Sequence, residues 1–332
     1  MSIKLHVTAR KATCGFFVFK RRENLEGVKS CLLQFVGNYI IVYCNMSAQN
    51  QAIPQSWDKV IKSKPKLIDL KLKQVWEYKD LILLFIKRDF IVYYKQTILG
   101  PLWYLLQPVF STIMYMLIFG TLAGIGTDGI PQILFYFSGT MLWTYFSTSV
   151  IEISKTFSVN KTIFSKVYFP RLTVPIATSA GLVIKLLIQF ALFIMMYIIY
   201  FAKGAAFVPS LKILYFPLIV LWLGFLGAGI GIIISSITTK YRDIALTIDF
   251  LVQLVMYATP VVYPLSEVPE SLAWLFYANP VSAPIELFRV CFFGVGSVPL
   301  KMSLVSAGVT AVCLFLGLVL FNQNEKSFVD VI

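Results

Sequence analysis

LTVPIATSAGLVIKLLIQFALFIMMYIIYF, residues 172–201, runs for 30 residues with a single charge, Lys185. An α-helix of that length reaches about 45 Å at ~1.5 Å per residue. That exceeds the ~30 Å of hydrocarbon in a bilayer. The run is continuous rather than alternating, which excludes the strand pattern of a membrane β-barrel. Comparable apolar runs lie at roughly 102–123, 133–153, 213–237, 244–262 and 301–321. The chain of 332 residues is 58% hydrophobic and 14% charged, with a mean hydropathy of +0.77. Soluble domains are nearer one-quarter charged. The expected fold class is an all-α integral membrane protein with six transmembrane helices, because only helices satisfy their backbone within an apolar run.

Just ahead of the opening stretch stands KTFSVNKTIFSKVYFPR, residues 155–171, with Lys155, Lys161, Lys166 and Arg171 and no acid. Lys and Arg are retained on the cytoplasmic side, so this loop is expected inside. Ile163, Phe164, Val167, Tyr168 and Phe169 mix apolar anchors with those charges. The stretch therefore reads as a short surface helix gripped by a cytoplasmic protein. The loop GIGTDGIPQ at 124–132 has no Lys or Arg and is expected outside. KGAAFVPSLK at 203–212 carries two lysines, which weakens that assignment without reversing it, and TTKYRD at 238–243 returns to the inner face. Six spans leave both termini cytoplasmic.

The net charge of +13 is uneven. Residues 1–99 hold 17 Lys/Arg against 7 Asp/Glu, a balance of +10, and the remainder 12 against 9, a balance of +3. A basic lead-in faces anionic lipid. Nucleic-acid binding is not expected of so apolar a chain. Residues 1–45 differ in character, holding His6 and three of the five cysteines. They are expected to be a leader upstream of a natural start at Met46. The alternative is an extra amphipathic anchor around 31–44. Residues 46–75 read as a cytoplasmic segment. Residues 76–99 read as an amphipathic interfacial helix, since Asp80, Lys87, Arg88 and Lys95 share one stripe at 3.6 residues per turn. Arg88-Asp89 and Arg242-Asp243 are neighbours in sequence, and adjacent helical residues do not face one another, so simple bridges within each pair are not expected.

Within the apolar region, Gln107-Pro108 implies a kink or local unwinding. Gly224, Gly227, Gly229 and Gly231 allow close helix approach. Pro264, Pro269, Pro280 and Pro284 break the stretch after 262, where short re-entrant outer helices are expected between spans five and six. Residues 100–322 thus form the transmembrane domain and 323–332 a cytoplasmic tail. The cysteines show no CxxC spacing and His6 is the only histidine, so no metal centre is indicated. No G-x-x-x-x-G-K-[ST] phosphate loop occurs. The acids are too sparse for a membrane-embedded transferase, so the chain is expected not to be an enzyme.

IKRDF (86–90), YKQTILGPLWYLLQP (94–108), KVYFPR (166–171), YRD (241–243), TPVVYP (259–264), NP (279–280), FR (288–289) and the terminal VDVI occur in order. This set, over residues 76–332, resembles the permease subunit of ABC-2-type polysaccharide exporters, which serve O-antigen, capsule and teichoic-acid export. The resemblance implies a homodimer of six-span subunits in the bacterial inner membrane, joined to two copies of a cytoplasmic ABC ATPase. ATP and Mg would sit on that partner, with no cofactor here. The cargo would be a lipid-linked glycan moved outward; an ABC-2 exporter of drugs or lipids is the alternative. The resemblance assigns ATPase coupling to Lys161, Ile163, Phe164, Lys166 and Tyr168. It places Lys87, Arg88 and Asp89 at the substrate entrance, where contact with lipid headgroups alone is the competing reading. It implies an aromatic-lined channel, for which Trp103, Tyr104, Tyr115, Tyr136, Trp143, Tyr145 and Phe146 are candidates against a packing role. Lys185 and Gln189 share one helix face at mid-span. They form either a polar track for glycan or pyrophosphate, or a structural site in which Lys185 pairs with Asp249 or Glu152.

Overall fold

The computed structural model describes residues 16–20, 31–36, 39–44, 72–95, 100–164, 166–167, 169–205, 207, 211–238 and 242–324. The chain divides into two units, Met1–Ser63 and Lys64–Ile332. In the first, β1 (Phe16–Lys20), β2 (Cys31–Val36) and β3 (Tyr39–Cys44) form an antiparallel sheet in the order β1-β3-β2. The register pairs Phe16 with Tyr43 and Val36 with Tyr39. The strands are rich in Phe, Val, Ile and Tyr, which favour a pleated surface. Gly37-Asn38, between β2 and β3, is a two-residue hairpin signal. Reading 1–45 as a leader had placed no strand there.

Every regular element among the described residues of the second unit is a helix. Two helices, α1 (Leu72–Glu77) and α2 (Lys79–Lys95), precede α3 (Trp103–Tyr115), which widens into a π-helical turn at Met116–Leu122. Then come α4 (Gln132–Ser154), the single turns α5 (Thr156–Val159) and α6 (Lys161–Phe164), and α7 (Thr173–Ala202). The chain closes with α8 (Phe216–Thr238), α9 (Arg242–Tyr257), α10 (Glu270–Ala278), α11 (Ser282–Phe293) and α12 (Leu300–Asn324).

Among the described residues, four helices are long and apolar enough to cross a membrane: Trp103–Leu122, Thr173–Ala202, Leu211–Thr238 and Leu300–Gln323. The other two apolar runs form α4 and α9. α4 has the length, with 23 residues, but it carries Ser138, Thr140, Thr144, Ser147, Thr148, Ser149 and Glu152. Its apolar neighbours are supplied by protein, since 16 of those 23 residues are buried. α9 has 16 residues, of which only Thr247–Tyr257 is apolar.

α4 packs against α7 and α8, α8 against α12, and α2 against α7. The hydroxyls of α4 bond back along their own helix: Ser138 Oγ donates to the Phe135 carbonyl at 2.8 Å, Thr140 Oγ1 to Tyr136 at 2.7 Å and Ser149 Oγ to Tyr145 at 2.8 Å. The glycines of α8 set its two contacts. A Cβ on Gly227 would lie 2.8 Å from Ser149 Cβ, and one on Gly231 2.8 Å from Ile153 Cβ, both on α4. Gly229 faces the other way, where a Cβ would meet the Leu314 backbone nitrogen of α12 at 2.9 Å. The spacing read from sequence thus serves two neighbours rather than one.

The proline-rich stretch is folded by polar locks. Asn279 Nδ2 donates to the Ala258 carbonyl at 2.9 Å and to Thr259 Oγ1 at 2.8 Å, while its Oδ1 accepts from the Val281 amide at 3.0 Å. Arg289 Nη2 donates to the Val261 carbonyl at 3.1 Å. TPVVYP, NP and FR, far apart in sequence, meet in this one corner.

Ala at position 231 would force Ile153 to move in a close-packed seam, and overpacking of this kind costs about 1–3 kcal/mol. Gly181, on α7, has no atom within 4 Å of an added Cβ. In a helix interior Ala is preferred over Gly by roughly 1 kcal/mol. Thermal unfolding of the detergent-solubilised protein is expected to show Gly231→Ala lowering Tm and Gly181→Ala leaving it level or raising it.

Candidate functional site: a polar cleft and a basic surface loop

The spacing of polar residues builds a cleft between α3, α4 and α7. Thr144, Thr148 and Glu152 recur every four residues on α4, Lys185 and Gln189 do so on α7, and Trp103 and Gln107 on α3. Residues four apart share a helix face. These three faces, with Tyr104 and Tyr145, line a cleft of about 120 Å³.

Two interactions shape its wall. Lys185 Nζ lies 3.0 Å from Glu152 Oε1 and 5.4 Å from the centre of the Tyr104 ring. A lone ammonium at membrane depth costs at least ~2.5 kcal/mol, and a carboxylate partner reduces that penalty. The second interaction begins with Pro108. Proline has no N–H, so the carbonyl four residues back loses its helical donor. That carbonyl belongs to Tyr104, and the buried Gln189 Nε2 donates to it at 3.1 Å. Instead of opening an unsatisfied kink, Pro108 creates a docking point for α7. The unwinding expected around it occurs about two to four turns later, in the π-helical turn at Met116–Leu122.

The cleft brings together Trp103, Tyr104, Tyr145, Lys185 and Gln189. It does not include Tyr115, whose hydroxyl contacts Met256 Sδ at 3.5 Å, nor Trp143 and Phe146, whose rings lie 5.5 Å apart. Tyr136 is fully buried beside Phe135, with ring centres 5.4 Å apart. Gln107, Thr144 and Thr148 were missed in the sequence, though their four-residue period was visible. Rings beside an amide and a neutralised charge suit a neutral polar ligand with an apolar face. They provide no free nucleophile or metal ligand set, and no cluster of three His, Cys, Asp or Glu occurs among the described residues.

Between α4 and α7 lies the basic loop. Lys155 Nζ contacts both oxygens of Asp249 on α9, at 3.0 and 2.9 Å, so Asp249 serves Lys155 while Glu152 serves Lys185. Ile163 and Phe164 are half-buried, whereas Val159 (71% exposed), Thr162, Lys166 and Val167 (58% exposed) face outward. Tyr168 and the Lys161 side chain fall outside the described residues. On α2, Lys87 is exposed. Arg88 Nε donates to Asp89 Oδ1 at 2.8 Å, a correction to the expectation that neighbours would not bridge. The long guanidinium arm folds back to reach its neighbour. Both side chains are over one-third exposed, so the bridge adds little stability. Arg88 Nη1 also donates to Asn160 Oδ1 in the loop at 3.4 Å. The Arg242 side chain is outside the described residues.

A second ionic site was not foreseen. Glu286 and Arg289, three residues apart on α11, pair at 2.7 Å and are each 3% exposed. The guanidinium stacks 3.9 Å from the centre of the Phe135 ring on α4. The i,i+3 spacing on an otherwise apolar helix was the available signal.

A bundle of apolar helices wrapped around a hydroxyl-rich one, four of them long enough to cross a bilayer, is the make-up of a membrane-embedded protein. The chain belongs to the ABC-2 type transporter family, whose model matches residues 80–293. It is a transport subunit, and membership implies an ABC ATPase partner. It is 26% identical over 268 residues to an O-antigen export system permease protein RfbA of Klebsiella pneumoniae, covering 80% of this chain and all of that protein. It is 25% identical over 262 residues to the RfbA permease of Myxococcus xanthus, covering 78% of this chain and 98% of that one.

Replacing Gln189 by Leu strands the Tyr104 carbonyl, and a buried polar group left unpaired costs about 1–3 kcal/mol. Gln189→Leu is expected to lower Tm. Adding Pro108→Ala restores a helical donor to that carbonyl and should recover part of the loss. Equal Tm values for the single and double variants would remove this role.

Proposed function

We propose that the chain is the membrane subunit of an ATP-driven exporter that moves a lipid-linked polysaccharide of O-antigen, capsule or teichoic-acid type outward across a bacterial inner membrane. The observation that carries this reading is the match to O-antigen export permeases along 98–100% of their own length. The cleft supports it. Sugar rings present C–H faces to aromatic rings and hydroxyls to amides, and a sliding polymer is served by several weak contacts rather than one deep site.

In this reading the working unit is a homodimer of six-span subunits with both termini cytoplasmic. α4 and α9 complete the six, α2 lies in the inner interface, and α10 and α11 dip into the outer leaflet. Lys87, Arg88 and Asp89 then meet headgroups or the anionic end of the carrier at the entrance. Two ATPase subunits, holding ATP and Mg, grip the loop at 155–171. Lys161, Lys166 and Tyr168, with the exposed Val159, Thr162 and Val167, form the grip. Ile163 and Phe164, half-buried against the inner clusters, lie outside the grip. Closure of the ATPase pair pulls the loop and reorients the helices, and no step of hydrolysis involves this chain.

Deleting the gene is expected to trap polymer inside the cell, measured by surface labelling against whole-cell glycan. Normal surface glycan would overturn the reading. Lys185→Met, at unchanged membrane level, is expected to cut export at least several-fold, scored by the same labelling. Unchanged export would leave the Lys185–Glu152 pair as structure alone.

A further inference from the structure

Five phenylalanines form an unbroken chain of ring contacts from α2 to α12. Phe85 of α2 meets Phe169 at 5.8 Å between ring centres, Phe169 meets Phe164 at 5.5 Å, Phe164 meets Phe157 at 5.6 Å, and Phe157 meets Phe321 of α12 at 5.1 Å. The three middle rings all belong to the loop between α4 and α7. The chain joins two separate apolar clusters. One holds Ile153 of α4, Phe157, Ile232 of α8 and Phe321. The other holds Phe85, Phe169, and Val174 and Ala177 of α7. Among the described residues, Phe164 is the one side chain packed against both. It is half-buried, while the four rings around it are at most 6% exposed.

Neither charge nor capping explains this arrangement. A loop that only set topology would need its lysines and not five rings in series. A loop that only docked a partner would turn its rings outward, yet among its described residues Phe157 and Phe169 are buried, Phe164 is half-buried, and the exposed apolar groups are Val159 and Val167. Ring-on-ring contacts are incompressible at the density of a protein interior, so a displaced ring moves its neighbours instead of deforming. Packed contacts of this kind switch between discrete arrangements.

We propose that Phe164 is a positioning residue. It divides a displacement of the loop between two branches, one through Phe169 and Phe85 to α2 and α7, the other through Phe157 and Phe321 to α8 and α12. The first branch reaches the helix that carries Lys185 and Gln189. The outward face of the loop receives the force and the inward rings distribute it. This rests on the reading of the chain as an ATPase-driven exporter.

The test uses the full transporter, co-expressed with its ATPase and assayed for co-purification, ATP hydrolysis and polymer export. Phe164→Ala is expected to co-purify with the ATPase, hydrolyse ATP within about twofold of wild type, and export at least tenfold less. Phe164→Tyr, which keeps the ring, is expected to restore export. Val167→Glu, on the outward face, is expected to lose co-purification instead. Phe321→Ala, which interrupts only the branch to α8 and α12, is expected to lower export less than Phe164→Ala, and the double variant should be no worse than Phe164→Ala alone. If Phe164→Ala fails to accumulate, Phe164→Leu carries the same test. The proposal is overturned if export survives loss of the ring, or if the Phe164 variant loses the ATPase as Val167→Glu does. A wild-type transporter that exports no polymer would instead sink the exporter reading.

Discussion

A helix rich in hydroxyls can sit at membrane depth only if protein, not lipid, surrounds it. α4 imposes that condition on the rest of the bundle. Its composition is too polar to face hydrocarbon, so α3, α7, α8 and α11 enclose it. The glycines of α8 follow from the same demand, because only a residue without a Cβ lets the α8 backbone approach Ser149 and Ile153 so closely. Gly229, turned to the opposite side, then carries α12 onto α8. The order α4, α8, α12 is therefore a consequence of one polar helix needing cover.

The cleft is what the cover leaves open. Its contents obey the same rule, that a polar group at depth is matched. Pro108 deprives the Tyr104 carbonyl of its donor and Gln189 replaces it; Glu152 offsets the charge of Lys185. Both matches cross between helices, so they fix α7 against α3 and α4, while Trp103 on the cleft wall stays exposed.

Much of this was legible in the sequence. Continuous apolar runs gave helices, and basic residues without acids singled out the loop at 155–171. The glycine spacing announced close approach, although sequence alone could not say that Gly229 serves a different neighbour from Gly227 and Gly231. Lys185 and Gln189 were visible as a polar face. What each would meet was not, because Glu152 and Asp249 were equal candidates until the tertiary packing placed Asp249 against Lys155. The Arg88–Asp89 contact failed the helical-face argument because that argument concerns Cβ directions and a guanidinium arm can turn back. The strands between 16 and 44 were hidden because their apolar residues, as in FFVF and YIIVY, run on without the polar alternation that marks a half-buried strand. Phe164 was read as an outward anchor type, and only the positions of Phe157 and Phe169 show the side on which its ring packs.

The hydroxyls of Ser138, Thr140 and Ser149 are satisfied by carbonyls of their own helix. None of these three bonds ties α4 to a neighbour. Its polar ties to neighbours lie at the other end, where Glu152 meets Lys185 of α7 and the Ser154 carbonyl accepts from Thr238 Oγ1 of α8 at 3.3 Å. Polar groups that would ordinarily act as glue are here turned inward, so α4 is held by shape along its middle and by paired polar groups at its C-terminal end.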